Sequence, residues 1–155
     1  MMKLVGRGTE LEQLLSMATE GSITTILGPA GVGKTTLVDH FAHQTQASIR
    51  GYAPLVSARN YQGVVEAVAE AMGTVGRAGR NELDRHIGRT LNRMGTGVVI
   101  LDNAEHVHAD VSVFVQRCRQ TAPEISWIIT SQVRLNLEGE HLLDLSPLRV
   151  PADDT

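Results

Sequence analysis

Apolar positions along the chain change period repeatedly, and the changes divide it into elements. Between Thr9 and Ala18, the residues Leu11, Leu14, Leu15 and Ala18 recur at three- and four-residue spacing, which predicts a helix with one buried face. Thr9 followed by Glu12 has the form of a capping box at its start. Ser22 to Leu27 is instead a run of β-branched and apolar residues, as expected of a strand covered on both sides. Helical spacing returns from Thr36 to Ala42, with Leu37, Val38 and Phe41 on one face. Ser48 to Ser57 reads as a second strand, and Gly51 and Pro54 within it put it near a sheet edge. Two helices follow, Tyr61 to Met72 on Val64, Val65, Val68 and Met72, and Glu82 to Met94 on Leu83, Ile87, Leu91 and Met94. Val98 to Asp102 is an apolar strand ending in an acid, and a helix over Asp110 to Thr121 turns Val111, Phe114, Val115 and Cys118 inward. Strands at Ile125 to Thr130 and around Leu142 to Leu145 complete the series. Alternation at this spacing predicts right-handed βαβ crossovers and a parallel sheet with helices on both faces. Ligands of such sheets sit at the carboxyl ends of the strands, and Lys34, Asp102 and Ser131 all follow such ends.

Gly28 to Thr35 reads Gly-Pro-Ala-Gly-Val-Gly-Lys-Thr, a complete G-x-x-x-x-G-K-[ST] phosphate-binding loop set between a strand and a helix. Glycines at 28, 31 and 33 let successive N–H groups curl around a phosphate, and the helix that follows adds unpaired N–H groups and a favourable dipole. Lys34 would reach the β- and γ-phosphates, and the Thr35 hydroxyl would ligate magnesium. Asp102 is the natural partner of Thr35 in holding that ion. Hydrolysis also needs a group that orients or deprotonates water. The residue after Asp102 is Asn103, a poor base, and Glu105 is the nearest carboxylate, although it equally suits the first turn of the next helix. Ser131, in Thr130-Ser131-Gln132, stands where a polar group beside the γ-phosphate could tell ATP from ADP. His106 and His108, two apart without an acid or cysteine cluster, read as surface or capping residues and Trp127 as core.

At 155 residues the chain fits one domain, over 1–150, with 151–155 as a tail or the start of a linker. Its 14 basic and 17 acidic residues give a net charge of −3, which argues against direct nucleic-acid binding by this segment. Arg85, Arg89 and Arg93 lie four apart and form a stripe that reads as a solvated face. No apolar run approaches the ~20 residues needed to span a bilayer, and a lone cysteine, Cys118, cannot form an internal disulfide. The expected setting is therefore the cytoplasm.

Further along, the pieces resemble one family. Val5-Gly6-Arg7 with Glu10-Leu11, the glycine-rich loop, Val-Val-Ile-Leu-Asp-Asn-Ala-Glu-His-Val at 98–107, Trp-Ile-Ile-Thr-Ser at 127–131, Leu135, Gly139-Glu140 and Leu145-Ser146-Pro147-Leu148 are similar, in this order, to the nucleotide-binding core of STAND ATPases. The likeness is to the branch of LuxR-type and SARP-type bacterial regulators, related to NB-ARC domains. It implies a three-layer α/β P-loop NTPase with a five-stranded, mostly parallel sheet in the order 5-1-4-3-2. It also implies an ATP/ADP switch with Mg2+ and slow hydrolysis, monomeric with ADP and able to oligomerise with ATP, attached to sensor and effector domains. Residue by residue, Val5, Gly6 and Arg7 would pack near the adenine. Gly28, Pro29, Ala30, Gly31, Val32, Gly33, Lys34, Thr35 and Thr36 would hold the phosphates, and Thr35 with Asp102 the metal. The family often has Glu where this chain has Gly8, and Arg where it has Gln132; Arg134, two residues on, is the candidate substitute. Two other readings remain open: a small kinase with Arg77 and Arg80 in a lid over Gly73 to Arg80, and an interaction module without turnover, suggested by Asn103 and Gln132.

Overall fold

The computed structural model describes residues 6–74 and 82–147. Val5, Leu148, the tail at 151–155 and most of the stretch from Gly73 to Arg80, with Arg77 and Arg80, lie outside the described residues. The strands are β1 (Ile23–Leu27), β2 (Ile49–Pro54), β3 (Gly97–Asp102), β4 (Ile125–Ser131) and β5 (Glu140–Asp144). The helices are α1 (Gly8–Met17), α2 (Lys34–Gln44), α3 (Tyr61–Met72), α4 (Leu83–Met94) and α5 (His108–Thr121), with a 3-10 turn at Glu105–Val107. The sheet runs β2-β3-β4-β1-β5, which is the expected order read from the other edge. Every neighbouring pair is parallel.

Two cores follow from the alternation of strand side chains. On one face, Ile23, Val99, Trp127 and Ile129 pack under α3, α4 and α5, where Phe114 meets Trp127 edge-on at 6.0 Å. On the other, Ile26, Ile100 and Ile128 pack against Leu14 of α1 and Leu37 and Phe41 of α2. All residues of β3 and β4 are buried, which explains why those strands read as unbroken apolar runs. At the edge, β2 ends at Pro54 and slips register between Ile49 and Gly51, as its glycine and proline foretold.

Several boundaries depart from the sequence expectation for identifiable reasons. The capping box at Thr9 and Glu12 does not form: α1 begins a residue earlier, at Gly8, and the residue at its cap makes no side-chain cap bond. That residue is Arg7, whose carbonyl accepts the first helical bond from Leu11 at 2.9 Å while its side chain turns inward to other partners. α2 starts at Lys34 rather than Thr36, because Gly33 takes a left-handed conformation (φ 106°) that turns the chain into the helix at once. β5 starts at Glu140, ahead of the expected Leu142. The Glu140 carboxylate accepts the Thr25 hydroxyl at 2.6 Å and the Leu135 and Asn136 amides, each at 3.1 Å, and so fastens the preceding loop to the sheet. Among the described residues no helix is long and apolar enough to cross a membrane.

Candidate functional site

The loop between β1 and α2 is closed by packing as well as by glycine backbone. A Cβ on Gly28 would come within 2.7 Å of the Val32 side chain and 2.8 Å of the Leu145 carbonyl oxygen, so the tight approach of the loop to the end of β5 requires glycine. The first turn of α2 then leaves backbone N–H groups without helical partners, facing the carboxyl ends of the strands.

Lys34 is buried at 7% exposure, and its ammonium donates to the Gly28 carbonyl at 2.6 Å and the Pro29 carbonyl at 3.0 Å. Among the described residues no carboxylate pairs with it. A buried cation held only by carbonyl dipoles is costly unless an anion joins it, and the loop amides beside it suit a phosphate. Beside Lys34, the Thr35 hydroxyl donates to the Asp102 carboxylate, 3.0 Å from Oδ2 and 3.3 Å from Oδ1. The residue types thus form a hard oxygen pair suited to magnesium, which retains water and ligand oxygens around it. Among the described residues no cluster of three or more His, Cys, Asp or Glu could hold a metal by itself, so an ion here would share a ligand's oxygens.

Lys34 and Thr35 border a cleft of about 450 Å³, with the Asp102 carboxylate buried behind Thr35. Gly31, Gly33, Lys34, Thr35 and Thr36 form its loop side, and Asn103, Glu105 and Gln132 the opposite side. Asn103 adopts a left-handed conformation (φ 63°), which turns the chain sharply after β3. The Glu105 carboxylate accepts the Gln132 N–H at 3.2 Å, linking the exits of β3 and β4. Ser131, expected to line the cleft, is fully buried, and its hydroxyl accepts the Val133 N–H at 3.0 Å, while Gln132 borders the cleft instead. β4 ends at Ser131 and the chain bends over Gln132 and Val133, so the strand does not extend to Arg134, which is exposed. Val56, 61% exposed, also borders the cleft from the loop after β2; as an apolar residue in a turn, it carried no chemical signal in the sequence.

Arg7 is 6% exposed and donates to the Val32 carbonyl at 3.2 Å and the Ser146 carbonyl at 2.6 Å, tying the chain before α1 to the loop and to the segment after β5. Beside it a smaller concavity of about 260 Å³ is bordered by Pro29, Val32 and Pro147. Gly6 precedes Arg7 in a left-handed turn (φ 69°). Of the two histidines, His106 pairs through Nε2 with the Ala58 carbonyl and His108 through Nδ1 with the Glu105 carbonyl, so both serve local structure.

The family follows from the match of the AAA domain model to residues 17–135, a span that holds the loop, Asp102 and the end of β4. The chain belongs to the AAA domain family. Membership carries nucleotide binding as a family property. This AAA domain is similar to the regulatory protein AfsR of Streptomyces griseus, with 31% identity over 149 residues, 88% of the chain and 15% of AfsR. An uncharacterized protein of Mycobacterium tuberculosis is 23% identical over 152 residues, 96% of the chain and 38% of that protein. The chain therefore spans well under half the length of these curated relatives. Among solved structures, Cdc6p from Pyrobaculum aerophilum superposes with a TM-score of 0.71 at 21% identity, covering 95% of the chain and 47% of that protein. A STAND protein with a tetratricopeptide repeat sensor from Pyrococcus horikoshii gives 0.59 at 20% identity, covering 96% of the chain and 24% of that protein. Both likenesses concern the fold.

Proposed function

We propose that this AAA domain is an ATP/ADP-binding switch module of a larger regulatory protein, with Mg2+ as its metal and slow hydrolysis at most. The observation that carries the reading is the buried Lys34 ammonium, without an anionic partner among the described residues, next to Thr35, whose hydroxyl bonds to the buried Asp102 carboxylate. Lys34 would exchange its carbonyl partners for the β- and γ-phosphates. The amides at the start of α2 would take the remaining phosphate oxygens. Thr35 and Asp102 would hold magnesium, which when bound neutralises phosphate charge. Arg7, Gly6 and the concavity at Pro29, Val32 and Pro147 are the candidate base site. Val5 is assigned there by family resemblance alone.

Slow turnover rests on what faces the phosphates. Asn103, which follows Asp102 and borders the cleft, is a poor base, and the Glu105 carboxylate is engaged with the Gln132 backbone amide, which lowers its availability to a water. The same pairing favours a second reading, in which nucleotide gates a protein contact without turnover. The likeness to AfsR supports placement in a regulator whose other domains sense and act, and oligomerisation with ATP is part of this proposal.

Titration calorimetry with ADP and ATP, with and without Mg2+, tests the reading. Micromolar or tighter binding that disappears in Lys34→Ala is the expected result, and a purified wild-type protein with no affinity for either nucleotide defeats it. Phosphate release then separates the slow ATPase from the module without turnover.

A further inference from the structure

The carboxyl ends of β3 and β4 are joined beyond their ladder, and Thr130 does most of the joining. This residue of β4 has no exposed surface. Its hydroxyl donates to Oδ1 of Asp102 and accepts the Asn103 N–H at 2.8 Å, while its carbonyl accepts the Ala104 N–H at 2.9 Å. The left-handed turn at Asn103 brings both amides onto the same neighbour. A threonine hydroxyl has a single proton. With the Asn103 amide donating to the hydroxyl oxygen, that proton is committed to Asp102.

The consequence concerns the orientation of the carboxylate. The terminal torsion of an aspartate is broad, so a strand-end carboxylate left alone would rotate. Thr35 approaches both of its oxygens, at 3.0 and 3.3 Å, and so does not select between them. Thr130 bonds to Oδ1 only. We infer that Thr130 is a positioning residue for the divalent cation: by holding Oδ1 of Asp102 against the Asn103 turn, it leaves Oδ2 on Thr35, which borders the cleft, as a fixed metal ligand. The inference rests on the reading above that Thr35 and Asp102 hold the ion. It assigns Thr130 a task that its polar character at a strand end does not reveal.

The test separates metal affinity from nucleotide affinity. Mn2+ binding to the ADP complex is followed by electron paramagnetic resonance, and ADP binding in excess chelator by calorimetry. Thr130→Val, which keeps the shape and removes the donor, is expected to weaken Mn2+ about tenfold, the usual cost of losing an outer partner of a metal ligand. ADP affinity in chelator is expected to stay unchanged, and Thr130→Ser to restore Mn2+ affinity. In an Asp102→Asn background, Thr130→Val should have no further effect on the metal, since the two act as one unit. If Thr130→Val fails to fold, Thr130→Cys, with a weak donor of similar size, is expected to show the same metal-specific loss. Unchanged Mn2+ affinity in the folded variant, or an equal loss of ADP with and without metal, overturns the inference and leaves the nucleotide reading intact. Absence of ADP binding in the wild type defeats that reading instead.

Discussion

The phosphate-loop cleft and the groove between α4 and α5 invite opposite mistakes. The groove is the larger, about 560 Å³ against about 450 Å³, and Arg85, Arg89 and Arg117 give it a basic rim. Yet its polar groups are solvated or already paired. Arg117 stacks over the Tyr61 ring at 5.1 Å and donates to the Tyr61 hydroxyl at 3.1 Å and to Asp84 at 3.2 Å, while the Tyr61 hydroxyl donates to Asp84 at 2.9 Å. The cleft has less room but holds a buried ammonium with no carboxylate among the described residues. Unsatisfied electrostatic demand in a buried place marks a binding site better than volume or surface charge, because solvent cannot supply the missing partner there.

The sharpest way to break this comparison is to remove the demand. Lys34→Ala is expected to cost nucleotide affinity at least a hundredfold, about 3 kcal/mol, whereas Arg85→Ala with Arg89→Ala should leave it unchanged in the same titration. A groove variant that lost nucleotide affinity would reverse the assignment. Next in size, Asp102→Asn should abolish most of the gain in affinity that Mg2+ confers, about tenfold, while binding in chelator persists.

On the groove side, Tyr61→Phe removes a hydrogen bond to a carboxylate and should cost about 1 kcal/mol of stability in urea melts, with nucleotide affinity unaltered. Burial alone would raise the Asp84 pKa, but the bonds from Tyr61, the Arg85 amide and Arg117 outweigh it and hold the carboxyl below its ordinary value. The sign follows: a depressed folded pKa gives stability that is fully present above the unfolded value, about 3.9, and lost as pH falls through the folded one. The difference between wild type and Tyr61→Phe should therefore shrink as pH is lowered below about 4. NMR titration should also show the Asp84 pKa rising in the variant. The smallest effect is at Cys118, whose thiol burial pushes up to about 12. The folded protein should not react with a thiol reagent at pH 8 and should do so only on unfolding.

Much of this architecture is legible without coordinates because its signals are local. Unbroken apolar runs identify β3 and β4, and the phosphate loop carries its own spacing. Errors arise where a side chain serves a distant partner. Thr9 looks like a cap, but Arg7, drawn to carbonyls at Val32 and Ser146, sets the helix start. Ser131 looks like the polar group at a strand end that meets a ligand. Side chains alternate along β4, and its last residue is buried with its hydroxyl on Val133, so the next residue reaches the cleft.

Period and motif spacing, being properties of neighbouring residues, were enough for the order of elements, the parallel sheet and the glycine-rich loop at Gly28 to Thr35. It took the packed fold to show which oxygen of Asp102 is held by Thr130, that Glu105 faces the Gln132 amide, and that Arg7 ties the loop to the segment after β5. Those contacts join residues 28, 27 and 139 positions apart. Their geometry comes from strand register and backbone turns, which no local pattern of residues specifies.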